Sequence, residues 1–288
     1  MRHRQTCERR GMQASDHPDI PDGWTDTHGD TLYYISVAVL LIFAFFSALF
    51  GIVVAAAGHL VALKYFLLFA LLMVLTVTYG LIVRRRRVDL ASAIRTATTR
   101  EGLQGTEIPY SAWQFNILIA VMGCCMVFCV MASVDILIYQ DEGFPGFAVV
   151  TGILGFVSAS FLAAAIFGRV RRGGVTLSSE GIAQRGRSFE SRLDWSAIAG
   201  AKAATDGHPY ILVFGYANAD WNRRYTTRFW RIDRLPPVPM IPFDCRQFDV
   251  DPYVLYGYVR TYVDNPELRA ELGTEAALAR ARNLQPTR

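Results

Sequence analysis

The stretch YFLLFALLMVLTVTYGLIVRRRR, residues 65–87, contains nineteen residues without a charge, followed by four consecutive arginines. A helix needs about 20 apolar residues to cross the hydrocarbon core of a bilayer, so this stretch is long enough to span a membrane. Three further stretches lack acidic and basic side chains, at 31–58, 108–134 and 143–168. The sequence therefore predicts an α-helical membrane bundle with four spans, at about 32–57, 61–83, 113–139 and 147–168.

Basic residues flank the spans unevenly. Seven arginines follow the second and fourth spans and are candidates both for setting the topology and for contacting lipid head groups. They are Arg84, Arg85, Arg86, Arg87, Arg169, Arg171 and Arg172. The turn between the first and second spans carries His59 and Lys64, and the turn between the third and fourth carries Asp141 and Glu142. Because short cytoplasmic loops are enriched in Lys and Arg, we expect a multi-pass plasma-membrane protein with both termini in the cytoplasm. The same arginines can contact anionic lipid head groups.

Four segments lie outside the spans. Residues 1–30 are polar and contain several prolines, which predicts a disordered cytoplasmic tail. Residues 84–112 form a cytoplasmic loop, 173–273 a small cytoplasmic α+β domain, and 274–288 a helical or flexible tail. In the domain, short β-rich runs predict a hairpin at 175–185, a strand at 188–195, and paired strands at 210–216 and 225–232. Asp251 and Pro252 then have the residue types of an N-cap and first helical position.

Three short motifs in this domain resemble the opening of bacterial PH-like (YcxB-like) domains. They are Val-Thr-Leu-Ser at 175–178, Gly-Ile at 181–182 and Leu-Asp-Trp-Ser-Ala-Ile at 193–198. Domains of that family follow membrane spans directly and carry a similar Trp-Ser-x-Ile step. The resemblance covers about residues 170–265 and implies a PH-like β-barrel or sandwich with a C-terminal helix. It also implies a membrane-anchored, non-catalytic interaction domain. It does not identify functional residues in this sequence.

One acidic side chain lies within a span. Asp135 is about one turn inside the outer end of the third span, and Lys64 lies at a similar depth at the start of the second. Ionisable groups at membrane depth are costly and usually pair, which favours a structural pair of Asp135 with Lys64 or His59. The functional alternative is a proton or ion site at Asp135.

Small residues recur at every fourth position on two spans, as Ser47, Gly51 and Ala55 and as Gly155, Ala159 and Ala163. This spacing permits close helix approach in lipid. We expect contact faces within the bundle, with a dimer interface as the alternative.

The sequence indicates no catalytic, metal or cofactor site. It contains no His-Glu-x-x-His, Gly-x-Ser-x-Gly or phosphate-binding Gly-rich motif, which favours a protein that is not an enzyme. Arginines interleave with aromatics in residues 221–234, and we interpret them as a solvated strand face rather than a nucleic-acid surface. Only two of the 29 basic residues are lysine, which is typical of a GC-rich, actinobacterial-type genome.

We therefore expect a non-enzymatic plasma-membrane protein that displays a PH-like domain for assembly with a protein partner or with further copies of itself. Membrane lipids are additional partners, and neither a nucleic acid nor a small-molecule substrate is indicated. The alternative function is a small transporter or channel subunit that uses Asp135.

Overall fold

A computed structural model describes residue 24 and residues 30–85, 88–98, 102–138 and 145–284. The predicted N-terminal tail lies outside these residues except for Trp24 and Asp30, as do Arg86, Arg87 and residues 285–288. Four long helices precede and interrupt a domain built from two antiparallel sheets.

Four helices are long and apolar enough to cross a membrane, as the sequence predicts. They are α1 (Asp30–Ala56), α2 (Leu60–Arg85), α4 (Ala112–Ile138) and α5 (Pro145–Ile166). Large apolar side chains are exposed along all four, and a bilayer would cover them. A further helix, α3 (Leu90–Ala93), is a single turn between α2 and the first strand.

The small residues of the spans face neighbouring helices of the same chain. A Cβ atom added to Gly51 would lie 2.7 Å from the Cβ of Phe66, so α1 and α2 approach closely at this point. The Ser47 hydroxyl donates a hydrogen bond to the Phe66 carbonyl at 3.0 Å. On α5, a Cβ at Gly155 would lie 3.1 Å from the Val130 side chain of α4. These positions therefore serve contacts within the bundle.

The larger sheet has six strands in the order β1-β2-β3-β4-β5-β8. Their bounds are β1 Arg95–Thr98, β2 Gln104–Pro109, β3 Gly174–Ser178, β4 Gly181–Arg185, β5 Phe189–Asp194 and β8 Asn222–Tyr225. The predicted hairpin at 175–185 is present as β3 and β4. The segment 84–112, predicted as a loop, contributes β1 and β2, and β2 pairs with β3. These two strands are too short to show a clear alternation of apolar and polar residues.

The smaller sheet has the order β6-β7-β9, with β6 Ile198–Thr205, β7 Pro209–Gly215 and β9 Met240–Asp244. The predicted pairing of 210–216 with a strand at 225–232 is wrong. Strand β7 pairs with β6 and β9, whereas β8 pairs with β5 and ends at Tyr225. Local β-propensity reports a strand's tendency to form and not its partner, which explains the error.

Helix α6 (Pro252–Asp264) begins where the sequence predicts it, because the Asp251 carboxylate accepts a hydrogen bond from the Tyr253 amide at 2.8 Å. Its residues Leu255, Tyr258 and Tyr262 are fully buried in the core. Helix α7 (Glu275–Asn283) follows and buries Ala277 and Ala281. We call the two sheets together with α6 and α7 the sheet domain.

Glu271 connects these two helices. Its carboxylate forms an ion pair with Arg280 and accepts a hydrogen bond from the Tyr262 hydroxyl at 2.8 Å. The Arg280 guanidinium, together with Tyr262, lowers the pKa of Glu271 below its ordinary value against the opposing effect of burial. Because the pKa is lower in the folded state, the ionised carboxylate stabilises the fold when the pH is above the pKa of the unfolded state. This stabilisation is lost as the pH falls through the pKa of the folded state.

We predict that Glu271→Gln lowers the free energy of unfolding at pH 7 by about 2 kcal/mol, because a charge-assisted contact is lost. The difference from wild type should shrink as the pH falls from about 5 to about 3. Denaturant unfolding in nanodiscs, followed by tryptophan fluorescence, measures both effects. Exposed Glu267→Gln is the control and should change stability by less than about 0.5 kcal/mol. A pH-independent difference for Glu271→Gln would contradict this account.

Candidate functional site

The sheet domain joins the helices without a linker on its first side. Strand β2 ends at Pro109, and α4 begins at Ala112. Between them, the Tyr110 amide donates to the Gly173 carbonyl at 2.9 Å, and the Ser111 amide donates to the Gln247 carbonyl at 2.7 Å. Gln114, in the first turn of α4, donates to the Arg246 carbonyl at 2.6 Å. The first turn of a membrane-length helix is therefore hydrogen-bonded to the sheet domain.

The second junction runs from α5 to β3 and packs against the first. Gly168, two residues beyond the end of α5, has a φ of +67°, a left-handed conformation that glycine adopts without steric cost. A Cβ atom on Gly173 would lie 2.4 Å from the Tyr110 ring and 2.4 Å from the Arg185 carbonyl oxygen, so only glycine fits there. The Arg172 Nε donates to the Tyr110 carbonyl at 2.5 Å. The two junctions form one packed unit.

Tyr110 lies at the centre of this unit. Its ring is buried and packs edge to face with Phe248, with the centroids 4.9 Å apart. Its hydroxyl accepts a hydrogen bond from the Gln184 side chain at 2.9 Å. Burial raises the pKa of Tyr110 above its ordinary value, so the hydroxyl stays neutral at physiological pH.

Those of the predicted arginines that the structure describes lie at the end of the helices next to the sheet domain. The guanidinium carbon of Arg84 lies 4.0 Å from the ring centroid of Tyr33, which joins the end of α2 to the start of α1. Arg169 accepts a hydrogen bond through its carbonyl from Thr226, and the Arg171 amide donates to Arg187. The backbone of Arg85 ends α2, whereas Arg86 and Arg87 lie outside the described residues.

The structure brings Asp135 and Lys64 together near the opposite end of the bundle. Their side chains form an ion pair, and the Tyr65 hydroxyl also donates to the Asp135 carboxylate at 2.6 Å. The Tyr65 ring packs edge to face on Phe128 of α4, at 5.5 Å between centroids. Asp135 is thus neutralised and hydrogen-bonded within the bundle, which links α2 to α4.

An open cleft of about 450 Å³ lies on the face of the six-stranded sheet that points away from the core. Gly174, Thr176, Gly181 and Ala183 form its floor, so no large side chain fills it. In the sheet register, Thr176 is opposite Ala183, and Ala183 is opposite Arg192. The cleft begins beside Gly173 and therefore adjoins the junction with the helices.

Charged side chains line the cleft. They are Arg172, Arg185, Arg192, Arg224, Glu107 and Glu190. Glu190 forms ion pairs with Arg185 at 2.6 Å and with Arg224 at 2.7 Å. The lining itself holds four arginines and two glutamates, and Arg192 also pairs with Glu180 at 2.7 Å and Asp194 at 3.2 Å beside the cleft, so the lining has a modest positive charge. A shallow, positively charged groove with a floor of small residues can accommodate an extended acidic segment.

Two contacts between distant parts of the chain were not indicated by the sequence. The Trp24 indole donates to the Ala204 carbonyl at 2.7 Å and packs on Tyr253 and Tyr256 of α6. The segment following β8 packs against α5 through Trp230, whose ring centroid is 5.1 Å from that of Phe161. The sequence feature that could have indicated both contacts is a tryptophan in an otherwise polar segment, because a buried indole contributes a large apolar area.

We predict that Asp135→Asn lowers the stability of the bundle by about 1 kcal/mol, because Lys64 loses its counter-charge in the apolar region. A double-mutant cycle with Lys64→Gln isolates the pair, and we expect a coupling energy of about 1 kcal/mol. Ser36→Ala, on the exposed part of α1, is the control. Unchanged stability of Asp135→Asn in unfolding from mixed micelles would remove the support for a structural pair.

Hydrogen bonds, ion pairs and ring packing hold these features together. Within the described part of the chain, no group of three or more His, Cys, Asp or Glu side chains could hold a metal ion. Compared with protein-family models, curated proteins and solved structures, the chain matches none. The junction and the cleft are the parts of the structure that bear on a function.

Proposed function

We propose that this chain is a non-enzymatic plasma-membrane protein that holds a PH-like domain against the cytoplasmic face of the membrane to bind a protein partner. The observation that carries the proposal is the packing of both junctions. Two residues separate β2 from α4, and the seven residues between α5 and β3 are held against Tyr110 by Gly173 and Arg172. A partner bound to such a domain is fixed in height and orientation relative to the bilayer. Two antiparallel sheets followed by a C-terminal helix support a PH-like assignment, and β1 and β2 extend the domain beyond residues 173–273.

The cytoplasmic orientation follows from the arginines. Arg84 and Arg169 lie at the helix ends that lead into the sheet domain. Because basic residues concentrate on the cytoplasmic side of short loops, this end of the bundle is assigned to the cytoplasm. Arg171, which is exposed, is then placed to contact anionic head groups.

The cleft is the surface to which we assign the partner. Its lining is positively charged, its floor is made of small residues, and it opens beside the membrane. An acidic, extended segment of a protein partner satisfies all three features, because its backbone can approach the floor while its carboxylates replace Glu180 on Arg192 and Glu190 on Arg224.

Two alternatives have less support. Self-assembly through the small residues of α1 and α5 competes with their use inside the chain, where Gly51 meets Phe66 and Gly155 meets Val130. Transport through Asp135 would need a carboxylate that is available to a solute, whereas Lys64 and Tyr65 both engage it.

Site-specific photo-cross-linking of the full chain in its native membrane tests the proposal. A benzophenone amino acid replaces Thr176 on the cleft floor or, as the matched control, exposed Ala199 on β6. We expect a defined heavier adduct from position 176 and none from 199. Charge reversal at Arg224→Glu, which places an acid at the rim, should reduce that adduct about tenfold by weakening an acidic partner by about 1.4 kcal/mol.

The outcomes separate the alternatives. An adduct with twice the mass of the chain would indicate self-assembly through the cleft instead of a different partner. No adduct at 176, or equal adducts at 176 and 199, would overturn the assignment of the cleft.

A further inference from the structure

The connection between β8 and β9 contains a loop, residues 226–234, that leaves the sheet and reaches helix α5. At its start, the Thr226 hydroxyl donates to the carbonyl of Arg169, just beyond the end of α5, at 2.8 Å. Further along, the Trp230 indole nitrogen donates to the Ser160 hydroxyl at 3.2 Å, and its ring packs edge to face on Phe161. The loop is thus attached to α5 at two different heights.

The height of Trp230 along α5 places it at membrane depth. Ser160 precedes the last residue of α5, Ile166, by six residues, which corresponds to about 9 Å along the helix axis. The apolar part of α5, Gly146–Ile166, has 21 residues and is only just long enough to cross the hydrocarbon core. If α5 spans the bilayer, the indole of Trp230 therefore lies below the surface of the leaflet.

Phe229, beside this tryptophan, is 88% exposed, more than the exposed large apolar side chains of the four spans. At the end of α5, where the loop contacts Arg169 through Thr226, Ile166 and Phe167 are also 82% and 78% exposed. Burial of a phenylalanine is strongly favourable, so a covering medium is expected at this point. Because Trp230 and Thr226 hold this loop against a membrane-length helix and the residue just beyond its end, lipid is the medium that would cover Phe229.

The polar groups of the loop are arranged for this environment. The Trp230 carbonyl accepts a hydrogen bond from the Thr227 hydroxyl, and the Phe229 carbonyl accepts one from the Arg231 amide at 3.1 Å. Backbone groups that enter a bilayer need such internal partners. Arg228, Arg231 and Arg234 flank the aromatic pair in sequence and are exposed, and the Arg231 guanidinium lies 4.6 Å from the Tyr225 ring centroid. Exposed aromatics with arginines nearby in the sequence are suited to anionic phospholipids, whose phosphates lie above the acyl chains.

We infer that the 226–234 loop inserts Phe229 and Trp230 into the leaflet that faces the sheet domain, with its arginines at the level of anionic head groups. The loop is then a third attachment of the domain to the membrane, beside the two junctions. This inference does not depend on the proposed partner cleft, which lies on a different surface.

Depth-dependent fluorescence quenching tests the insertion directly. The full chain, with an environment-sensitive fluorescent amino acid at position 229, is placed in nanodiscs of phosphatidylglycerol and phosphatidylethanolamine. Lipids brominated on their acyl chains should quench this fluorophore strongly. The same amino acid at exposed Ser179, on the turn between β3 and β4 at the far end of the sheet, is the matched control. Equal quenching at 229 and 179 would overturn the inference.

A second experiment compares two serine variants with the wild-type chain, which carries its native aromatic residues. Phe229→Ser should make the loop accessible to trypsin, and we expect cleavage at Arg228 or Arg231 to become about tenfold faster in the same nanodiscs. Val238→Ser, at an exposed apolar position in the same connection, should leave the cleavage rate unchanged. Identical rates for both variants would contradict the inserted position of Phe229.

Discussion

Strand β2 runs into helix α4, and helix α5 returns into strand β3, so the pairing of two strands fixes the base of a helical hairpin. In this ladder Ile108 is opposite Val175, and Pro109 is opposite Gly174. Paired strands lie about 4.8 Å apart, whereas packed helices need 8–10 Å between axes, as a general rule. The chain must therefore diverge within a few residues, and Tyr110 fills the resulting space against Gly173. The contacts of buried Tyr110 with Gly173 and Arg172 oppose a hinge motion between the hairpin and the domain.

The rest of the domain depends on that fixed base. The cleft opens beside Gly173, and the 226–234 loop is attached to Arg169, so both proposed contact surfaces begin at the junction. A partner in the cleft would be held next to the membrane, and the inserted loop would prevent the domain from tilting away. Asp135 and Lys64 act at the other end of the bundle, where their ion pair joins α2 to the α4–α5 hairpin.

The sequence predicts the parts of this protein that local physics determines. Hydrophobic length identifies the four spans, and the side chain of Asp251 identifies the start of α6, because neither depends on a distant partner. The proximity of Asp135 and Lys64 follows from their similar depth. Strand pairing could not be predicted in the same way. Strands β1 and β2 have little periodicity, and the residues at 225–232 have β-propensity but are used in β8 and in the loop on α5.

Rigid attachment of the sheet domain to the helices can be measured as the distribution of distances between one label on the domain and one on a helix. Spin-labelled amino acids at Ser179, on the far turn of the sheet, and at exposed Val149, near the opposite end of α5, report the separation of domain and membrane. In nanodiscs, double electron–electron resonance should give a single narrow population of distances. A broad or multiple distribution, as expected for a domain on a flexible tether, would contradict the account.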